Sequence, residues 1–138
     1  MKIAIATQDM THVDAHLGWA RHLLIFDVSA EGYRYVATRA FRQGLAQDGD
    51  HDKLGPRIRA LRGCSMVFVV DVGPEGEAGL ARARVVPMRA YAGKPIVNAL
   101  DALRDGLRRN PRGWLRREQQ KDHFSKAAAE RREQNRSR

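Results

Sequence analysis

Apolar residues along this chain come in short continuous runs separated by stripes at helical spacing. Lys2-Ile-Ala-Ile-Ala-Thr7 opens with Ile3 and Ile5 among small residues, the composition of a buried strand. A strand starting at residue 2 has no crossover before it, so it is expected in mid-sheet with partners on both sides. The polar run to Gly18 leads to a second strand, His22-Leu-Leu-Ile-Phe-Asp-Val28. Ala30-Glu-Gly32 reads as a tight turn, which makes Tyr33–Phe41 the return arm of a hairpin. Strict alternation puts Tyr33, Tyr35, Ala37 and Arg39 on one face and Arg34, Val36 and Thr38 on the other. That mixture suits a strand near the sheet edge.

Gly44–Asp52 reads as a loop. A helix is predicted from Asp52 to Arg62, with Leu54, Ile58 and Leu61 as its apolar stripe, Pro56 in its first turn and Gly63 as its stop. Ser65-Met-Val-Phe-Val-Val-Asp71 is apolar on both faces, as for a strand covered on both sides. Gly73-Pro74 opens a helix to Arg82, weakened by Gly76 and Gly79. Arg84–Met88 is a fifth strand, and Pro95 begins a last helix with Ile96, Leu100, Leu103 and Leu107 on one side. This order predicts a three-layer α/β domain: a mixed five-stranded sheet, strand order 3-2-1-4-5, with helices on both faces.

Charge divides the chain unevenly. Residues 1–107 hold 14 Lys and Arg against 12 Asp and Glu, whereas residues 108–138 hold 11 against 4. Two segments follow: an α/β domain over 1–107, and a basic arm over 108–138, part helical or disordered. Trp114 and Leu115 are the arm's candidate anchors. The basic arm fits RNA, an acidic protein or plain solubility equally well, because it lacks the interleaved aromatics of a base-stacking platform. Cys64 is the single cysteine, which excludes an intrachain disulfide and a Cys-rich metal site. No signal-peptide pattern opens the chain and no apolar run is long enough to span a bilayer, so a cytoplasmic protein is expected.

The candidate chemistry lies mainly at the exit of the first strand, where sites on open α/β sheets gather. His12 and His16 with Asp9 and Asp14 fall within eight positions. In a loop, four-residue spacing does not bring two imidazoles together as it would on a helix, so a preformed metal pair is disfavoured. Asp9 and Asp14 either orient these rings or cap backbone turns. Asp9 and Asp71 would need a third carboxylate to act as a magnesium-dependent hydrolase. Val72–Glu77 contains glycines but matches neither phosphate-loop pattern; its free N–H groups, Gly73 among them, would give a supporting contact at best, because Glu75 and Glu77 would repel a highly charged anion. His51 stands at a helix entrance beside Asp50 and Asp52, which read as caps. Cys64 reads as a small buried hydrophobe.

These residues carry a family likeness. Lys2–Thr7, Val13-Asp-Ala-His16-Leu-Gly18 and Ala20-Arg-His-Leu-Leu-Ile-Phe26 resemble the first strand, V-x-x-H-F-G loop and second strand of the dinitrogenase iron–molybdenum cofactor-binding family. Gly44-Leu-Ala-Gln-Asp-Gly-Asp-His-Asp-Lys-Leu54, Leu61-Arg-Gly-Cys64 and Asn110-Pro-Arg-Gly-Trp-Leu115 resemble its stand-alone carrier branch. The resemblance runs in order through residues 1–117. It implies a ribonuclease-H-like fold and a non-catalytic carrier. Such a carrier binds a preassembled iron–sulfur precursor of the nitrogenase cofactor transiently, between the synthesis enzyme and the scaffold that completes it. The family histidine maps to His16, the expected metal contact. Gly18, His12, His51 and Gly73 are further cofactor-binding candidates, with Arg21 and Arg39 as charge partners. Leu17 departs from the family's aromatic residue, and Asp71-Val72-Gly73 stands where close relatives carry cysteine-glycine. The competing expectation is a nucleic-acid-binding or regulatory module driven by the basic arm.

Overall fold

Past Lys2, every residue of β1 (Lys2–Thr7) is buried, which follows from its place in the middle of the sheet. The computed structural model describes residues 1–41 and 53–110. The expectations for the Gly44–Asp52 loop, His51 and the arm beyond Asn110 lie outside them. β2 (His22–Ser29) runs antiparallel to β1, and β3 (Gly32–Ala40) returns antiparallel beside β2. On the other flank β4 (Met66–Phe68) pairs parallel with β1, and β5 (Val86–Met88) parallel with β4. The sheet is therefore mixed, in the order β3-β2-β1-β4-β5. Three helices complete the domain: α1 (Leu54–Ala60), α2 (Pro74–Ala83) and α3 (Ile96–Arg109).

The period-two alternation of the central strands sorts side chains into two cores. Ala4 and Ala6 share one core with Val67, Val69, Leu61 and Leu80, on the side of α1 and α2. Ile3 and Ile5 share the other with Met66, Phe68, Leu100 and Leu103, on the side of α3. Small residues on one face of β1 and isoleucines on the other match a close helix pair on one side and a single helix on the other. The glycines of α2 belong to the same packing. A Cβ on Gly76 would stand 2.4 Å from Val72 Cγ1, and one on Gly79 2.4 Å from Ile58 Cδ1. The two residues that weaken α2 as a helix thus let it lie against α1 and the loop before it.

The structure corrects four local expectations. β3 does not keep one alternation. The register with β2 shifts between Ile25 and Phe26, so that Ala37 faces Ile25 while Tyr35 faces Phe26. The extra residue, Val36, is a bulge, and it puts Tyr35 and Ala37 on opposite faces. Tyr33 and Tyr35 pack edge-on against Phe26, whereas Ala37 joins the α1–α2 core. β4 is paired only over Met66–Phe68, not to Asp71, because the chain then diverges: Val70 N–H donates to the Ala15 carbonyl (2.9 Å) instead. β5 begins at Val86 rather than Arg84, since Arg84 takes a left-handed conformation (φ 59°) that caps α2. α1 spans Leu54–Ala60 and buries Arg57, at 5% exposure, while Leu54 and Ile58 are only partly buried.

Candidate functional site

The segment leaving β1 is held by its own short polar side chains. Asp14 Oδ1 accepts from the Gln8 N–H (2.6 Å) and from the buried Thr7 hydroxyl (3.1 Å). Asp9 Oδ1 accepts from the N–H groups of Thr11 and His12, each at 2.8 Å, and Asp9 Oδ2 meets His12 Nδ1 at 2.8 Å. The Thr11 N–H is the largest influence on the Asp9 carboxyl; desolvation opposes it, but with the N–H and ring of His12 added the carboxyl is held far below the usual carboxylate range. The chain then runs between two neighbours. Val13 N–H donates to the Lys94 carbonyl (2.9 Å) and Ile96 N–H to the Thr11 carbonyl (2.8 Å), on the α3 side. Two residues on, Ala15 accepts from Val70, and Leu17 N–H donates to the Asp71 carbonyl (3.2 Å).

That second attachment fixes His16. Val13, Ala15 and Leu17 are buried while His16 between them is exposed, so the apolar anchors turn the imidazole outward. Leu17 is fully buried in the α1–α2 core. A 3-10 turn at Leu17–Trp19 follows. It forms one wall of a cleft of about 310 Å³; Lys53 and Leu54 form a second wall, and the run from Asp71 to Gly73 with Glu75 a third. The cleft lies past the carboxyl ends of β1 and β4, at the end of the sheet where the sequence directs attention.

Arg57 ties two of these walls together. Its Nε and Nη2 donate to the Ala20 carbonyl at 3.0 and 2.7 Å, and its Nη1 to the Lys53 carbonyl at 2.8 Å. Its guanidinium also lies 4.6 Å from the Phe41 ring centroid. The third wall is held by Arg89, which meets Asp71 Oδ1 at 2.7 Å and Glu77 Oε1 at 2.6 Å. Burial acts against the Asp71 carboxylate, but the Arg89 guanidinium, the Val72 N–H and the nearby His16 more than offset it, and the Asp71 pKa lies below its ordinary value. At the mouth, the exposed Trp19 ring carries the Lys53 ammonium 3.2 Å from its centroid.

Of the residues singled out in the sequence, His16, Gly18 and Gly73 come together in this cleft. His12 turns to Asp9. Arg21 is exposed ahead of β2, its N–H given to Gln8 Oε1 (2.8 Å). Arg39 is exposed on β3 opposite Leu23, two strands from β1. None of these three lines the cleft. Lys53, Trp19 and Glu75 do; sequence reasoning passed over Lys53 and Trp19 and counted Glu75 only as a charge that repels an anion. Trp19, next to the family glycine, was the one available signal. Among the described residues no group of three or more His, Cys, Asp or Glu side chains is placed to hold a metal ion. Asp9 and Asp71 are engaged separately, with His12 and with Arg89. Cys64 is buried ahead of β4, at the opposite end of that strand from Asp71, and burial raises its thiol pKa. No helix among the described residues is long and apolar enough to cross a membrane.

The chain is 40% identical over 121 residues to Protein NifX of Herbaspirillum seropedicae, covering 88% of this chain and 83% of that protein. It is 29% identical over 92 residues to the FeMo cofactor biosynthesis protein NifB of Bradyrhizobium diazoefficiens, covering 65% of this chain and 18% of that protein. In fold it is similar to the crystal structure of PH0822, with a TM-score of 0.55, 19% identity, and coverage of 77% of this chain and 92% of that one. The family model for dinitrogenase iron–molybdenum cofactor matches residues 1–106. The chain therefore belongs to the dinitrogenase iron–molybdenum cofactor family.

Proposed function

We propose that this protein is a non-catalytic carrier that binds an iron–sulfur precursor of the nitrogenase cofactor and stores it or passes it on, with the cleft beside His16 as the cargo site. The observation that carries this reading is the cleft's donor set in a member of this family. An exposed imidazole, backbone groups of Gly18 and Gly73, and one ammonium line it, while the chain's single thiol is buried at the other end of β4. Permanent iron–sulfur centres are normally held by several thiolates. One buried cysteine cannot supply them, so the cargo arrives assembled and keeps its own sulfides. A single imidazole with electrostatic support holds such a unit and releases it without dismantling a cage.

His16 is the cargo's metal contact in this reading, with Gly18 and Gly73 allowing close approach. His12 acts at one remove, through the Asp9 network that shapes the loop. The donor and acceptor partners are the cofactor-synthesis enzyme and the scaffold that completes the cofactor. Likeness to part of a cofactor biosynthesis protein supports such a handover. The strand order, with β2 antiparallel to β1 and flanked by β3, supports a ribonuclease-H-like classification. Anaerobic titration of wild-type and His16→Ala protein with the precursor cluster tests the reading. Weakened uptake by the variant is expected; unchanged affinity removes His16 from the mechanism.

A further inference from the structure

The cleft's charges do not favour an anion unless one side chain is counted. Asp71 and Glu75 both line it, and among the described residues the only basic one lining it besides His16 is Lys53. Asp71 is balanced from behind by Arg89 (2.7 Å), but Glu75 makes no ion pair among the described residues. Without Lys53 the lining would present uncompensated negative charge to a metal–sulfide cargo, which is itself anionic. Arg21 and Arg39 do not line the cleft and do not make up the difference.

The position of Lys53 is unusual for a charge that only balances Glu75. Its ammonium lies over the ring of Trp19, 3.2 Å from the centroid, and that ring is 57% exposed at the cleft mouth. A cation over an exposed indole is weakly held. A multiply charged anion entering the cleft competes for it on favourable terms, since Coulomb attraction scales with the product of the charges. The Lys53 backbone, by contrast, is fixed: its carbonyl accepts from Arg57 Nη1 (2.8 Å).

From this geometry we infer that Lys53 is the charge-recognition residue of the cargo site: it rests on Trp19 when the cleft is empty and exchanges that ring for the anionic cargo on binding. This rests on the reading of the cleft as the cargo site. Selection is by charge, for polyanionic metal–sulfide units over neutral or cationic complexes of similar size. Glu75 is the counterweight that keeps the resting cleft from retaining ordinary monovalent anions.

The test uses the full chain under argon with a synthetic thiolate-capped tetranuclear iron–sulfide dianion as probe, read by its visible absorption. Lys53→Gln is expected to weaken uptake about tenfold at low ionic strength, the effect of one unit charge on a dianion across roughly 7 Å of water-like dielectric. The difference shrinks at about 0.5 M salt, where screening acts within a few ångströms. Lys53→Arg retains wild-type uptake to within about threefold, and Glu75→Gln tightens it about threefold. Before any probe is added, Lys53→Gln also changes the emission of Trp19, assigned by difference from Trp19→Phe. Uptake by wild type with an unchanged Lys53→Gln affinity overturns the inference and leaves the cargo reading standing. Absence of uptake by wild type overturns the cargo reading and the inference with it. If Lys53→Gln fails to fold, Glu75→Gln decides alone, and no gain in affinity refutes the charge argument.

Discussion

Arg57 is the residue whose replacement most directly measures how the cleft is held. It is a charged side chain inside an apolar helix–sheet interface, and burial lowers its pKa. Three of its N–H groups go to two carbonyls, and one acceptor, that of Ala20, belongs to a fully buried residue. Replacement by methionine keeps most of the volume but leaves that carbonyl dry and unpartnered, a loss of about 1–3 kcal/mol. Losing a charge-assisted fork adds about 1.5–3 kcal/mol, and relief of the guanidinium's desolvation returns part of the total. The net expectation is destabilisation by about 2 kcal/mol, or a fall in Tm of roughly 8 °C for a chain of this size. Arg57→Lys should lose at least as much, because a single ammonium cannot reproduce a planar fork. Urea unfolding followed by far-ultraviolet circular dichroism reads the difference, provided the slope with denaturant is unchanged. A methionine variant within about 0.5 kcal/mol of wild type would show that the Ala20 carbonyl finds another donor, and that Arg57 does not tie the walls.

Two further substitutions and a pH series test other parts of the packing. Gly76→Ala places a Cβ 2.4 Å from Val72 Cγ1, a stiff β-branched side chain on the cleft wall; overpacking of about 1–3 kcal/mol should exceed the roughly 1 kcal/mol gain in helix propensity. Gly79→Ala meets the flexible end of Ile58 at 2.4 Å, so it should lie within about 1 kcal/mol of wild type by the same unfolding measurement. A Gly76→Ala variant as stable as Gly79→Ala would contradict the close approach of Val72. Asp71 has a folded pKa below its ordinary value of 3.8. Its contribution is therefore present above that value and disappears as pH falls through the folded one. With its side chain 56% exposed, the contribution is under about 1 kcal/mol. Arg89→Met should remove it, so the stability gap between variant and wild type narrows from neutral pH to about pH 2; a gap that widens refutes the assignment.

The order of strands and helices was legible because each element carries its own period. β1 alternates isoleucine and alanine between its ends, β4 is a continuous apolar run, and α3 repeats Ile96, Leu100 and Leu103 on one side. What failed was local and depended on partners. No feature within Tyr33–Ala40 announces the bulge at Val36, since it is the register against Ile25 and Phe26 that creates it. The early end of β4 has the same origin. Val69 and Val70 have strand composition, but the pairing with β1 stops at Ile5–Phe68 and Val70 N–H donates instead to Ala15 of the loop. Arg57 reads as a solvated helix position until it is seen to be the donor to the Ala20 carbonyl, which has no other among the described residues.

The candidate site divides along the same line. His16 was singled out by its place in the histidine-bearing exit from β1 and by the family resemblance; the structure adds that Val13, Ala15 and Leu17 are buried around it, which turns its ring outward. The charge partner was sought among arginines near it in sequence, and Arg21 stands only two residues beyond Trp19. Proximity along the chain is a poor guide here. After Trp19 the backbone enters β2, whose first residue pairs with Thr7, so Arg21 leaves the cleft as the strand begins. Lys53 reaches the cleft from 34 positions away because Arg57, one turn later, anchors α1 to the Ala20 carbonyl just past the 3-10 turn. The buried arginine therefore does two things at once. It satisfies a carbonyl that the turn strands, and it fixes the backbone of Lys53, the only non-histidine cation lining the cleft among the described residues. A substitution at Arg57 that preserves folding should thus weaken uptake of an anionic cluster while leaving His16 in place, with the Lys53→Gln effect largely absent in that background. Full additivity of the two substitutions would instead mean that Lys53 is positioned independently of Arg57.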